Sequence, residues 1–107
     1  MTDNNQLDSA IMSLDIILAI SLSSRLRGLL GRPPLQTGQG LWLFPCSAVH
    51  TFGMRTAIDV LFLDTNFKPL KRVFGLPPRR FSMCWRACSV LEMPAGGLVA
   101  CGLASDD

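Results

Sequence analysis

The run from Pro45 to Asp64, PCSAVHTFGMRTAIDVLFLD, concentrates the chemistry open to this chain. It holds the only histidine, His50, one of the four cysteines, Cys46, and the carboxylate of Asp59 inside an apolar stretch. Glu92, in Ser89-Val90-Leu91-Glu92, stands in a similar setting. An imidazole and two carboxylates are enough for general acid–base chemistry if they meet in one pocket. They are equally the ingredients of a buried polar network. An unpaired buried carboxylate is costly, so Asp59 is expected to hold a partner: Arg25, Arg55 or His50, or backbone amides.

The cysteines admit two further chemistries, and spacing argues against both. Cys46-x3-His50 and Cys84-x3-Cys88 offer four zinc ligands. On a strand, residues four apart lie ~13 Å from each other, while zinc–ligand bonds are ~2.0–2.3 Å. The same spacing keeps Cys46 out of reach of His50 as its activating base. Four cysteines in 107 residues are too few for a disulfide scaffold, and no CxxC occurs. The expectation is reduced, half-buried thiols and no metal or other cofactor. Gly38, Gly40, Gly96 and Gly97 match no phosphate-binding pattern and read as turn glycines.

The elements that must position these residues are mostly strands. Ala57–Leu63 is the clearest. Ile58, Val60 and Phe62 line one face, and Asp59, Leu61 and Leu63 the other. Both faces are largely apolar, which places the strand centrally in a sheet. Asp64-Thr65-Asn66-Phe67 is a turn with Asn66 suited to a left-handed conformation. Lys68–Phe74 returns as a hairpin partner with one wet face or an edge position. Leu14–Ile20, Leu41–Phe44, Val49–Met54, Phe81–Trp85, Ala87–Met93 and Leu98–Leu103 are further strand candidates. Leu22, Leu26, Leu29 and Leu30 fall on one face of a short helix near residues 22–31, with Gly31 as C-cap and Pro33 and Pro34 beyond it. The aromatic residues are assigned mainly to the core, with Phe52 and Met54 as candidate groove residues. The expected architecture is mainly β: a small β-barrel or a two-sheet, jelly-roll-like sandwich with that one helix. A flexible tail at 1–10 precedes a single domain at 11–107.

Composition narrows the function classes. An apolar fraction of 49% with 17% charged residues is that of a core-rich globular chain. A net charge of +2 gives no strong nucleic-acid signal, and the basic clusters at Arg25–Arg32, Lys68–Arg72 and Arg79–Arg86 read as solvated faces. The first ten residues lack a basic, apolar leader, and Ile11–Ile20 is about half the ~20 residues of a membrane span. A soluble, cytoplasmic protein is expected.

Three motifs in order carry a resemblance. They are Arg25-x-x-Gly28-Leu29-Leu30-Gly31-Arg32, Thr51-Phe52-Gly53-Met54-x-x-x-Ile58-Asp59-Val60-Leu61-Phe62-Leu63-Asp64, and Val90-Leu91-Glu92-Met93-Pro94-Ala95-Gly96. Over about residues 14–104 the chain resembles the "domain of unknown function 192" family of small bacterial and archaeal proteins. Gly53 stands where that family commonly has an aromatic residue, and Ser105-Asp106 where it has Gly-Asp. The resemblance implies a β-rich barrel or jelly-roll domain with one early helix. It implies no substrate and no catalytic residues.

Two functions of different class follow. The first is a non-enzymatic accessory or binding module for an unknown protein, peptide or small ligand. Its candidate site residues are His50, Thr51, Met54, Asp59, Glu92 and Arg25, and its site is placed between Val49–Met54, Ala57–Leu63 and Ala87–Met93. The second is a small hydrolase-like enzyme using His50, Asp59 and Glu92. Convergence of those three side chains is the discriminating observation.

Overall fold

A computed structural model of the chain describes residues 14–19 and 35–106. Among the described residues seven strands and one short helix follow in order: β1 (Asp15–Ala19), β2 (Gln39–Leu43), β3 (Ala48–His50), β4 (Ile58–Leu63), β5 (Pro69–Leu76), β6 (Phe81–Met83), β7 (Ser89–Pro94) and α1 (Gly97–Ala100). Five strands form a sheet in the order β1-β2-β7-β4-β5, and β3 and β6 form a separate two-stranded ribbon. The helix expected near 22–31, the tail at 1–10 and Arg25 lie outside the described residues.

The apolar run Ile58–Leu63 becomes β4, which pairs antiparallel with β5 on one side and β7 on the other and is buried along its whole length. Its two faces separate two cores, as alternation requires. Ile58, Val60 and Phe62 pack with Leu41, Leu43 and Val90 of neighbouring strands and with Val49 of the ribbon. Leu61 and Leu63 pack with Leu91 and Met93, beneath Leu98 and Leu103. The ribbon thus closes one face, while α1 and the segment after it close the other. β5 carries Lys71 and Arg72 at the edge, where charge discourages further strand pairing. β1 runs parallel to β2, an arrangement that requires a long crossover connection.

The barrel alternative is corrected by this topology. β1 and β5 end the sheet without pairing to each other, and the ribbon pairs only with itself, so the architecture is an open two-layer arrangement. Leu98–Leu103 is not a strand. Gly96 takes a left-handed φ of 91°, α1 begins, and the chain closes with Cys101 N–H donating to the Gly97 carbonyl and Leu103 N–H to that of Leu98. A side chain at position 97 would bring a Cβ within 2.7 Å of Met93 Cβ, so glycine lets α1 settle directly on β7. The strand at 49–54 ends at His50, because Met54 N–H donates back to the Thr51 carbonyl and turns the chain. In the β4–β5 turn the left-handed residue is Phe67, φ 61°, and not Asn66. Asp64 Oδ1 holds that turn by accepting from Asn66 N–H and Lys68 N–H, while the Phe67 ring packs edge-on against Trp42, 5.6 Å between centroids.

The aromatic residues depart furthest from expectation. Phe62 is fully buried, yet Phe44, Phe52, Phe74, Phe81 and Trp85 are exposed. A two-stranded ribbon laid on a sheet has one inward face only, here Val49 and Ser82, which leaves Phe81 and Met83 to solvent, while Phe52 and Trp85 stand in the turns after its strands.

Candidate functional site

Asp59 is held by the fold itself. It pairs with Met93 across the β4–β7 ladder, on the face closed by α1. Oδ1 accepts from Gly75 N–H at 2.8 Å, and Oδ2 accepts from Gly96 N–H at 3.1 Å and Leu98 N–H at 3.0 Å. Gly75 sits at a register irregularity between β4 and β5 with φ 61°, a conformation glycine adopts without steric cost. One carboxylate therefore ties β4 to the β5 irregularity and to the start of α1. Of the two kinds of partner open to Asp59, the structure uses backbone amides and not Arg55 or His50.

Glu92 is placed differently. It pairs with Val60 on one side and Leu41 on the other, so it lies on the opposite face of the sheet from Asp59, within the core beneath the ribbon. The side chain is buried and Oε1 has no hydrogen-bond partner. Burial pushes its carboxyl from 4.5 up to about 7, because the charged form is removed from water without compensation. Trp42 Nε1 and Ser89 Oγ are likewise buried without partners.

His50 is exposed on the outer face of the ribbon, opposite Phe81. Nδ1 accepts from Phe52 N–H at 3.2 Å, and the two rings lie 5.8 Å apart. Thr51, next in the chain, is fully buried and joins the ribbon to the loop before β6. Its hydroxyl donates to the Pro77 carbonyl at 2.6 Å and accepts from Arg80 N–H at 2.8 Å, while its own N–H donates to the Arg80 carbonyl at 2.8 Å. Met54 is half-buried and packs against the core beneath the ribbon.

The structure therefore does not gather His50, Asp59 and Glu92 in one pocket. His50 faces solvent, and the two carboxylates are buried on opposite sides of one sheet. Among the described residues no three His, Cys, Asp or Glu side chains gather as a metal site. No disulfide joins Cys46, Cys84, Cys88 or Cys101.

Two surface features were not read from the chain. One is an open pocket of about 320 Å³ between the start of β2, the end of β7 and α1, lined by Thr37, Gln39, Pro94, Gly97 and Cys101 among others. None of His50, Thr51, Met54, Asp59 or Glu92 lines it. Burial raises the Cys101 thiol above its ordinary value, which makes it a poor nucleophile. The other is the outer ribbon face with the turns after its two strands, where Phe52, Phe81, Met83 and Trp85 are exposed to 53%, 61%, 49% and 78%. The signal was present in Phe81-Ser82-Met83, whose alternation places Ser82 inward and its neighbours outward.

Comparison with known proteins agrees with this fold. The DUF192 profile, described as Uncharacterized ACR, COG1430, matches residues 4–107. A protein of unknown function from Novosphingobium aromaticivorans DSM 12444 superposes with a TM-score of 0.74 at 16% identity, over 84% of this chain and 69% of that one. A Sinorhizobium meliloti 1021 protein described as a "putative transcription regulator" superposes with a TM-score of 0.76 at 20% identity, over 88% and 78%. At these identities the likeness speaks for the fold alone. No curated protein matches the chain. Among the described residues no helix is long and apolar enough to cross a membrane.

Proposed function

The chain belongs to the DUF192 family, and we propose that it serves as a non-enzymatic binding module whose contact surface is the outer face of the β3–β6 ribbon. The observation that supports this reading is the separation of the groups a hydrolase would need. His50 lies on the ribbon surface, Asp59 is consumed by three backbone amides, and Glu92 is enclosed on the other side of the sheet. General acid–base catalysis requires its groups within hydrogen-bond reach of one substrate atom. The ribbon and the turns beside it, in contrast, expose Phe52, Phe81, Met83 and Trp85, and exposed apolar side chains of this kind suit a contact surface.

Within this reading the site residues keep distinct tasks. His50 and Phe52 belong to the contact surface, Thr51 holds the loop beside it, and Met54 supports it from the core. Asp59 and Glu92 belong to the scaffold. An amide-shift titration against peptides, oligonucleotides and metabolites tests the assignment. Shifts are expected at 48–52 and 81–86. Shifts confined to Thr37–Gln39 and Pro94–Gly97 would transfer the site to the pocket, and ester or amide turnover lost in Glu92→Gln would restore the enzyme.

A further inference from the structure

The charge around the ribbon is one-sided. Residues 40–58 and 65–91 contain no Asp or Glu, yet they hold Arg55, Lys68, Lys71, Arg72, Arg79, Arg80 and Arg86. Of these, Arg72 is committed to Asp106 and the Leu103 carbonyl. The described acids lie elsewhere or are occupied: Asp59 and Glu92 are buried, Asp64 holds its turn, and Asp15 is on β1 at the far edge of the sheet from β5. A net charge of +2 for the chain thus conceals two long segments whose charges are all of one sign.

Several of these cations flank the exposed aromatic residues. Antiparallel pairing sets His50 beside Phe81 and Ala48 beside Met83, with Phe52 following His50 and Trp85 following Met83. The Arg86 guanidinium lies 5.4 Å from the exposed Trp85 ring. Lys71 Nζ donates to the Met83 carbonyl at 2.9 Å, which fixes one cation at the ribbon edge. Thr51 clamps Arg80 and its neighbour Arg79 to the other end, beside His50 and Phe52. The result is a run of exposed ring faces with cations at both ends.

We infer that this face binds a single-stranded nucleic acid segment, with bases stacking on Phe52, Phe81 and Trp85 and phosphates meeting Arg79, Arg80 and Arg86. The inference rests on the ribbon being the contact surface and adds the class of partner. Each half of the pattern has a matching feature in such a strand. Unpaired bases offer apolar faces to aromatic rings, and their phosphates require cations along the same path. A duplex has its base faces stacked internally and can use only the cations. An apolar peptide would use only the rings.

The test is the quenching of Trp85 fluorescence and the anisotropy of a labelled oligo-dT of about 15 nucleotides, at about 50 mM salt, with an oligo-rU arm and a duplex arm. Single strands should bind more tightly than the duplex, and a gain of rU over dT would name RNA as the source. Phe81→Ala and Trp85→Ala should each weaken binding by about tenfold. Arg79→Ala with Arg80→Ala should lower the slope of log K against log salt by about two phosphate contacts. Thr51→Val should weaken binding through loss of the clamp, while the pocket variant Thr37→Ala leaves it unchanged. Phe81, Trp85, Arg79 and Arg80 are exposed, so an unchanged melting curve certifies the fold of their variants, and Thr51→Val is compared at a temperature where it is fully folded. Affinity for oligo-dT that is indifferent to Phe81→Ala and Trp85→Ala would overturn the inference. So would absence of oligo binding together with an acidic peptide shifting the same amides, an outcome that leaves the binding-module reading intact. If no ligand shifts the ribbon amides, both fail together.

Discussion

The two faces of the central sheet each bury one carboxylate and treat it in opposite ways. Beneath α1, Asp59 accepts three backbone amides and joins β4, β5 and α1 at one point. Beneath the ribbon, Glu92 has an oxygen with no partner and a carboxyl raised to about 7. A buried acid can hold a fold together or stand at odds with its surroundings. The difference lies in whether donors converge on it, since the neighbouring side chains are apolar in both places.

The contrast is broken most directly by truncating the satisfied acid. Asp59→Ala would leave the Gly75, Gly96 and Leu98 amides without their acceptor, the last of them buried, and should cost about 3–5 kcal/mol, read from urea unfolding. Asp59→Asn, which keeps an acceptor oxygen, should fall between this and wild type. A midpoint that does not move on Asp59→Ala would show that the amides find water and that Asp59 ties nothing.

The unsatisfied acid should respond to pH. Its folded value is raised above the unfolded one, so its contribution is fully present below about 4.5 and is lost as pH rises through about 7. Across that window wild type should lose about 3 kcal/mol from this group alone, at about 1.4 kcal/mol per unit. Glu92→Gln should remove the dependence and be more stable than wild type at pH above about 8. Parallel stability–pH curves for the two proteins would mean that Glu92 is solvated in the native state.

Smaller effects sharpen the same comparison at the periphery of each face. On the ribbon side, Thr51→Val removes the bond to Pro77 and the acceptor for Arg80 N–H, and should cost about 1–2 kcal/mol. Amide exchange should then rise first at Arg79, Arg80 and Phe81. On the α1 side, Arg72 Nη2 meets Asp106 Oδ1 at 2.6 Å, with Asp106 largely exposed. Asp106→Asn should cost no more than about 1 kcal/mol and less in high salt. A larger loss would reveal that the C-terminal segment is held mainly through this pair and not by Leu103.

Much of this was legible residue by residue. The alternation of Ile58, Val60 and Phe62 with Asp59, Leu61 and Leu63 foretold a central strand and assigned its two faces correctly, because side-chain direction along a strand is a local property. β5 as a charged return strand and the turn at Asp64 were legible for the same reason. The helix α1 was hidden: Leu98–Leu103 reads as an apolar strand, and what makes it helical is a glycine at 96 and a carboxylate 37 residues away. The exposed aromatics were also hidden, since residue type speaks for burial while only the neighbouring strand decides which face is covered.

By itself, the sequence determined the strand content, the family, the cost of burying Asp59 and Glu92, and the absence of acids from residues 40–58 and 65–91. Tertiary structure alone decided that the two carboxylates never meet. In the β4–β7 ladder Glu92 stands opposite Val60, and a shift of one residue would have set it opposite Asp59 on the same face. It also decided that Phe81 and Trp85 lie outside and that Thr51 holds the loop carrying Arg79 and Arg80 at the His50 end of the ribbon. Register and layering are relations between segments distant in the chain, and pairing between strands sets them where local preference cannot.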